Sequence, residues 1–374
     1  MNTSIQIGKI MGIPIKLHIT FILILPVFAY YFSVNPAPFG FNEVQISITR
    51  YALSLSAAIS LFVCVLLHEL GHSAVAKKNG SNIQSITLFL FGGVSAMEEI
   101  PRNPKIEFKM ALAGPTVSFL IGIVLGITYL IFTPANESYI SFLFIKMTDD
   151  PYLRLVWLMG YINIILGIFN LLPAFPMDGG RVLRSWLAGR MSYIRATRTA
   201  AGIGKMFAIF MGIFGFLTIA AGGFWFLLIA FFIYIGASEE EKSTEVTVVL
   251  EGVKIRDIMS KDVTSVTSGM SVEELVDIMF RFKHMGYPVL DDSEVKGIVT
   301  FTDVQKVPKE DRKKVRVSDI MTKELITLRE DEDAENAIKL MTVNNIGRIV
   351  ITKEKQIVGI VSRTDILRSV QLLE

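Results

Sequence analysis

His68-Glu69-Leu70-Gly71-His72 is the segment whose residue types and spacing specify chemistry most directly. On a helix, positions i and i+4 share one side, so both imidazoles can reach one metal ion. Glu69 then stands beside them as a general base. The pentad follows the apolar run Leu61-Phe62-Val63-Cys64-Val65-Leu66-Leu67. Ionisable groups inside such a span are costly and are functional by default. The bland alternative is a polar cluster bonding neighbouring helices.

Two histidines leave a catalytic zinc short of a ligand, because such sites take three protein groups and keep one position open. A third histidine is not available. His18 lies at the edge of the first apolar span, and His284 lies in a polar part of the chain. A carboxylate near a span is needed, and Asp178 fits best. It ends the run Asn170-Leu171-Leu172-Pro173-Ala174-Phe175-Pro176-Met177-Asp178-Gly179-Gly180. Pro173 and Pro176 should break the preceding helix, and Gly179-Gly180 should let the backbone turn tightly after the carboxylate. Taken alone, Asp178 would read as a turn or helix-cap residue. Cys64 lies one turn before His68 and reads as packing or, less simply, as a thiol ligand.

The elements that must hold these groups are membrane spans. Of 374 residues, 51% are hydrophobic and 19% charged, against about 25% charged in soluble domains. One cysteine excludes a disulfide scaffold, the apolar content excludes a disordered chain, and no basic run points to a nucleic-acid polymer. No cleavable leader is evident in the first residues. Six spans are expected near residues 17–33, 52–76, 111–132, 152–172, 206–221 and 224–236. The last two form a hairpin about Gly222-Gly223, the alternative being one long tilted helix. Phe207, Phe210, Met211 and Phe214 read as lipid-facing or packing surface.

Counting Lys and Arg in the connections gives 13 on one side and 2 on the other. By the positive-inside rule both termini lie in the cytoplasm, as an even number of spans also requires. The expected localisation is therefore the cell membrane, multi-pass. His72 lies four residues from Ala76 at the cytoplasmic end, a depth of about 6 Å, so a water channel to it is short. Ile83 to Met97 alternates loosely around Gly92-Gly93. It reads as a membrane-associated hairpin whose edge could pair with an extended substrate, or as an ordinary connection.

The apolar pattern stops at Ala237-Ser238, which divides the chain into 1–237 and 238–374. The second part holds a repeat. Ile255-Arg256-Asp257-Ile258-Met259-Ser260 returns as Val317-Ser318-Asp319-Ile320-Met321-Thr322. Gly297-Ile298-Val299-Thr300-Phe301-Thr302-Asp303 returns as Gly359-Ile360-Val361-Ser362-Arg363-Thr364-Asp365. One small α/β unit has been copied once, giving units of about 250–310 and 311–374.

This pair resembles tandem cystathionine-β-synthase (CBS) domains. The resemblance implies an adenine-nucleotide cleft (AMP, ADP or ATP), with Thr300 and Ser362 toward phosphate and Asp303 and Asp365 toward ribose hydroxyls. A carboxylate can accept two ribose O–H bonds and a hydroxyl can donate to phosphate. The other reading is that each pair only caps the helix that follows, leaving a scaffold or a homodimer contact.

Residues 5–237 resemble the site-2 protease family of intramembrane zinc metalloproteases. The resemblance rests on the His68–His72 pentad, the Asn170–Gly180 run, Phe91-Gly92-Gly93-Val94, Ala113-Gly114-Pro115 and Gly12-Ile13-Pro14-Ile15-Lys16-Leu17-His18. It implies one Zn2+ per chain on His68, His72 and Asp178, Glu69 as catalytic base, and a transmembrane protein as substrate. It also implies that Asn170 assists at the scissile carbonyl, where an amide can stabilise an oxyanion; capping the broken helix is its other reading. The expected fold is a polytopic α-helical membrane domain of about six transmembrane helices followed by an α/β tandem CBS pair. A CBS-regulated transporter or channel is the competing class. It would need charges lining a route across the bilayer, whereas these groups cluster near one end.

Overall fold

The computed structural model describes residues 4–89, 92–97, 103–133, 150–292, 294–354 and 356–373. Phe91, Arg102 and most of the expected loop 133–151, with Lys146, lie outside the described residues. The chain divides into two compact units, Met1–Lys242 and Ser243–Glu374.

The first unit begins with strands β1 (Ser4–Ile10) and β2 (Ile13–His18), a hairpin ahead of the first span. Helix α1 (Ile19–Val34) starts where the His18 ring accepts from the Thr20 N–H. Helix α2 (Ser47–Lys78) has 32 residues, about 48 Å at the α-helical rise, and outlasts the hydrocarbon core at its ends. Strands β3 (Ile83–Phe89) and β4 (Gly92–Met97) follow as the antiparallel hairpin expected there. The four strands form one sheet in the order β1-β2-β3-β4, with β2 and β3 parallel. Ile13, Ile15, Ile83 and Ile86 bury one face of this sheet against Leu70 and Ala76 of α2.

Helices α3 (Pro104–Phe132) and α4 (Pro151–Asn170) each open with proline at the first turn and an Asx cap. Asn103 accepts from the Lys105 N–H, and Asp150 from those of Tyr152 and Leu153. Proline has no N–H to leave unpaired at this position, and the side chain satisfies another orphan donor. After α4 come α5 (Asp178–Ala188), α6 (Tyr193–Leu217), a short 3-10 turn and α7 (Phe224–Val249). The hairpin between α6 and α7 turns at Gly222, whose φ of 93° lies in the left-handed region that glycine adopts without strain.

Four described helices are long and apolar enough to cross a membrane: α2, α3, α4 and α6. Helix α1 is a shorter apolar helix, and α7 opens with an apolar half before its acidic run. Phe210 and Phe214 are exposed on α6 as a lipid-facing stripe requires, whereas Met211 packs inward near Ala174 and Met177.

Two expectations change. The acidic run Glu239-Glu240-Glu241 follows the point where the apolar pattern stops and the chain was expected to divide, but α7 continues through it without a break. Glu240 pairs with Arg184 and Glu241 with Lys205, so these acids still belong to the first unit. The change in composition marks where apolar surroundings end; the helix does not end there. The Gly179-Gly180 pair does not make a turn. Both residues lie in the first turn of α5, where a Cβ on Gly179 would fall 2.2 Å from the Leu172 carbonyl oxygen. Their absent side chains let α5 start hard against the loop before it.

The second unit carries β5 (Gly286–Asp291), β6 (Glu294–Thr300), β7 (Thr327–Arg329), β8 (Arg348–Lys353) and β9 (Gln356–Ser362). Its helices are α8 (Ile255–Ile258), α9 (Val272–Phe282), α10 (Phe301–Gln305), α11 (Val317–Ile320), α12 (Ala334–Val343) and α13 (Arg363–Leu373). The sequence repeats do not coincide with its two cores. Ile255 and Ile258 pack with Leu328, Ile351 and Val361 of the second repeat, while Val317 packs with Val266, Tyr287 and Val299 of the first. Backbone bridges Ser260–Ile360 and Ile298–Thr322 seal the exchange. Each repeat therefore closes the other's core with its opening helix.

Candidate metal and catalytic centre

The four-residue spacing on α2 brings His68 Nε2 and His72 Nε2 to 3.1 Å. Asp178, the first residue of α5, places Oδ2 3.2 Å from His68 Nε2 and 3.1 Å from His72 Nε2. Among the described residues these three form a group able to hold a metal ion, and Cys64 is not part of it. Each histidine is fixed from behind. His72 Nδ1 lies 2.7 Å from the Met110 carbonyl oxygen, and His68 Nδ1 lies 2.9 Å from Ser118 Oγ, both on α3. A carbonyl only accepts, so the His72 proton sits on Nδ1 and the Nε2 lone pair points at the other donors.

These residues fit zinc. Two imidazole nitrogens and one carboxylate oxygen are a donor set zinc takes, and bonds of about 2.0–2.2 Å need donor atoms only a little over 3 Å apart. A cradle is also present. A Cβ on Gly114 of α3 would fall 2.2 Å from His72 Nε2 and 2.5 Å from His68 Nε2. Any other residue there would occupy the space into which both nitrogens point.

Glu69 follows His68 on α2 and is half-buried. Strand β4 passes over it so closely that a Cβ on Gly93 would lie 2.4 Å from Glu69 Cγ. Asn170 closes α4, and its amide bonds to no described residue, so it does not cap the broken helix. In the sequence Gly114 stands out only within the motif Ala113-Gly114-Pro115, and Gly93 only within Phe91-Gly92-Gly93-Val94 and the hairpin around it. Ser118 and the Met110 carbonyl carried no signal, because nothing in the chain's order says which α3 residues face α2.

In the second unit Thr300 with Asp303 and Ser362 with Asp365 form capping boxes. Asp303 Oδ2 accepts from Thr300 Oγ1 at 2.6 Å and Thr300 N at 3.1 Å. Asp365 Oδ2 accepts from Ser362 Oγ at 2.6 Å and Ser362 N at 2.9 Å. The remaining oxygens differ. Asp303 Oδ1 accepts from Lys306 Nζ at 3.0 Å, whereas Asp365 Oδ1 accepts from no described residue. Burial opposes charge on Asp303, but the bonds from Thr300 and Lys306 outweigh it and hold its carboxyl below the usual range.

Apolar spans bearing a paired-histidine and carboxylate cluster beside a glutamate define a membrane metallohydrolase. The model of Peptidase family M50 matches residues 56–213, and the CBS domain model matches residues 255–310 and 317–372. A zinc metalloprotease of Methanocaldococcus jannaschii is 39% identical over 374 residues, covering 100% of this chain and 98% of that one. Rip3 of Mycobacterium tuberculosis is 29% identical over 383 residues, covering 100% and 94%. A solved site-2 protease from Methanocaldococcus jannaschii shares 42% identity, with a TM-score of 0.44, over 64% of this chain and 95% of that one. The chain belongs to peptidase family M50, the site-2 proteases. It is a multi-pass zinc metalloprotease carrying a pair of CBS domains.

Proposed function

We propose that the protein cuts peptide bonds within membrane-spanning segments of other proteins, with His68, His72 and Asp178 holding the zinc ion. The observation that carries this reading is the convergence of their three donor atoms to 3.1–3.2 Å beside Glu69. The bound ion supplies Lewis acidity, which polarises a carbonyl and makes a water acidic. Glu69 removes a proton from the attacking water and delivers it to the leaving amine. Asn170 donates its amide to the developing oxyanion. Strand β4 ends the sheet, so its outer edge can pair with an unwound substrate segment and lay it across Glu69. Unwinding is required because helical peptide bonds are shielded by side chains and internal hydrogen bonds. Both termini face the cytoplasm in this reading, which puts the short water route on that side.

The CBS pair binds an adenine nucleotide and through it adjusts cleavage. The open Oδ1 of Asp365 supports this, since a ribose hydroxyl needs such an acceptor. To act, the nucleotide must prefer one state of the protease over another. A second copy of the chain docked through the CBS pair is compatible with this role.

The test uses the full chain in detergent with a single-span substrate. Mass spectrometry of the products should place the cut inside the apolar segment, and calorimetry with AMP, ADP and ATP should give binding that shifts the cleavage rate. Cuts only in soluble loops would overturn the first reading. Absence of binding at millimolar nucleotide would overturn the second.

A further inference from the structure

Arg184 lies on α5 six residues after Asp178 and is 2% exposed. Its guanidinium Nε donates to Glu107 Oε1 of α3 at 2.7 Å, and Nη1 donates to Glu240 Oε1 of α7 at 2.7 Å. It also lies 5.0 Å from the ring centre of Phe175, which precedes Asp178 by three residues and is fully buried. One side chain thus grips α5, the loop leading into it, and two neighbouring helices. Helix α7 meets the same loop again one turn earlier, where a Cβ on Gly236 would lie 2.5 Å from Pro176 Cδ.

Asp178 has no such fixing on its own helix, because it is the first residue of α5 and its N-cap, Met177, makes no side-chain cap. The histidines are anchored to α3 through Met110 and Ser118. Glu107 belongs to that same helix, so the Glu107–Arg184 pair ties α5 to the frame that orients the histidines. A fork-shaped guanidinium fixes angle as well as distance, which lysine cannot do.

We infer that Arg184 is a positioning residue for Asp178, holding its carboxylate in register with His68 and His72, and that Glu240 of α7 sets this hold. The inference rests on Asp178 being a zinc ligand. It makes α7 the element whose movement would loosen or tighten the metal site.

The experiment is zinc retention by the purified full chain against a graded chelator, well below the melting temperature. Loss of a group that supports a ligand typically costs about 10–100-fold in metal affinity, and Arg184→Gln should fall in that range. Arg184→Lys, which keeps charge without the fork, should not restore wild-type retention. Glu240→Gln should give a smaller shift in the same direction. Arg154→Gln is the control. Arg154 is also buried, at 6%, and pairs with Glu43 at 2.8 Å, but it lies on α4 away from Asp178. It should lower thermal stability and leave zinc retention unchanged. If Arg184→Gln does not fold, Arg184→Lys and Glu240→Gln decide the matter. Wild-type retention in every folded Arg184 and Glu240 variant, while Asp178→Ala loses zinc, overturns the positioning role alone. Full retention in Asp178→Ala overturns the ligand assignment and the positioning role with it.

Discussion

Gly93 of β4 lies against Glu69 of α2 with no room for a side chain, a Cβ there falling 2.4 Å from Glu69 Cγ and 3.1 Å from its carboxyl carbon. A sheet strand therefore touches the glutamate that adjoins both histidines. The strand that would receive substrate and the group that would move protons are one contact apart.

Gly93→Ala should displace Glu69 or the strand while leaving the histidines in place. A misplacement of about 1 Å can cost about 10²-fold in rate. The expected result is a loss of that order in cleavage with full zinc content, read by kinetics and metal analysis on the same preparation. Unchanged cleavage would mean that β4 and Glu69 adjust independently of the chemistry.

Gly114→Ala should act on the opposite quantity. Its methyl group would enter the space between His68 Nε2 and His72 Nε2, on the backbone of a packed helix that cannot easily retreat. Zinc content should fall below one per chain under conditions where Gly93→Ala keeps it.

The two nucleotide half-sites proposed above should be unequal. Asp303 has its outer oxygen engaged by Lys306, and Asp365 does not. Asp365→Ala should weaken adenine-nucleotide binding more than Asp303→Ala, measured by calorimetry on the full chain. Removing the competing cation with Lys306→Ala should narrow the difference.

Acid should loosen the second unit. The Asp303 carboxyl is held below its unfolded value, so its contribution is fully present above about pH 3.9 and is lost as pH falls through the folded value. Glu274, bonded by the Ser271 N–H and hydroxyl, changes in the same direction. Thermal melting of the full chain between pH 6 and pH 3 should show a declining transition, with a shallower decline in Asp303→Asn.

The chemistry was legible in the sequence because it depends on residue type. Two histidines four apart, a glutamate between them and one carboxylate after a broken helix leave few ways to build a zinc site. The spans were legible because apolar runs are local. What escaped was decided by distant partners. Strand β2 pairs locally with β1, but its place in the sheet is set by Ile15 and Leu17 lying beside Ile86 and Leu88, about seventy residues on, and no local period announces that. Gly179-Gly180 looked like a turn because turns and close packing both call for glycine, and only the neighbouring carbonyls distinguish them. The repeat revealed what was copied but not that Ile255 would pack into the other copy's core.

The most direct measurement compares purified wild type and Glu69→Gln for zinc content and for cleavage of a single-span substrate. The amide is nearly isosteric but cannot take the water proton. The variant should bind one zinc per chain, melt like wild type, and cleave more slowly by at least the about 10²–10⁴-fold typical of a lost general base. Wild-type turnover by a fully zinc-loaded Glu69→Gln would contradict the account.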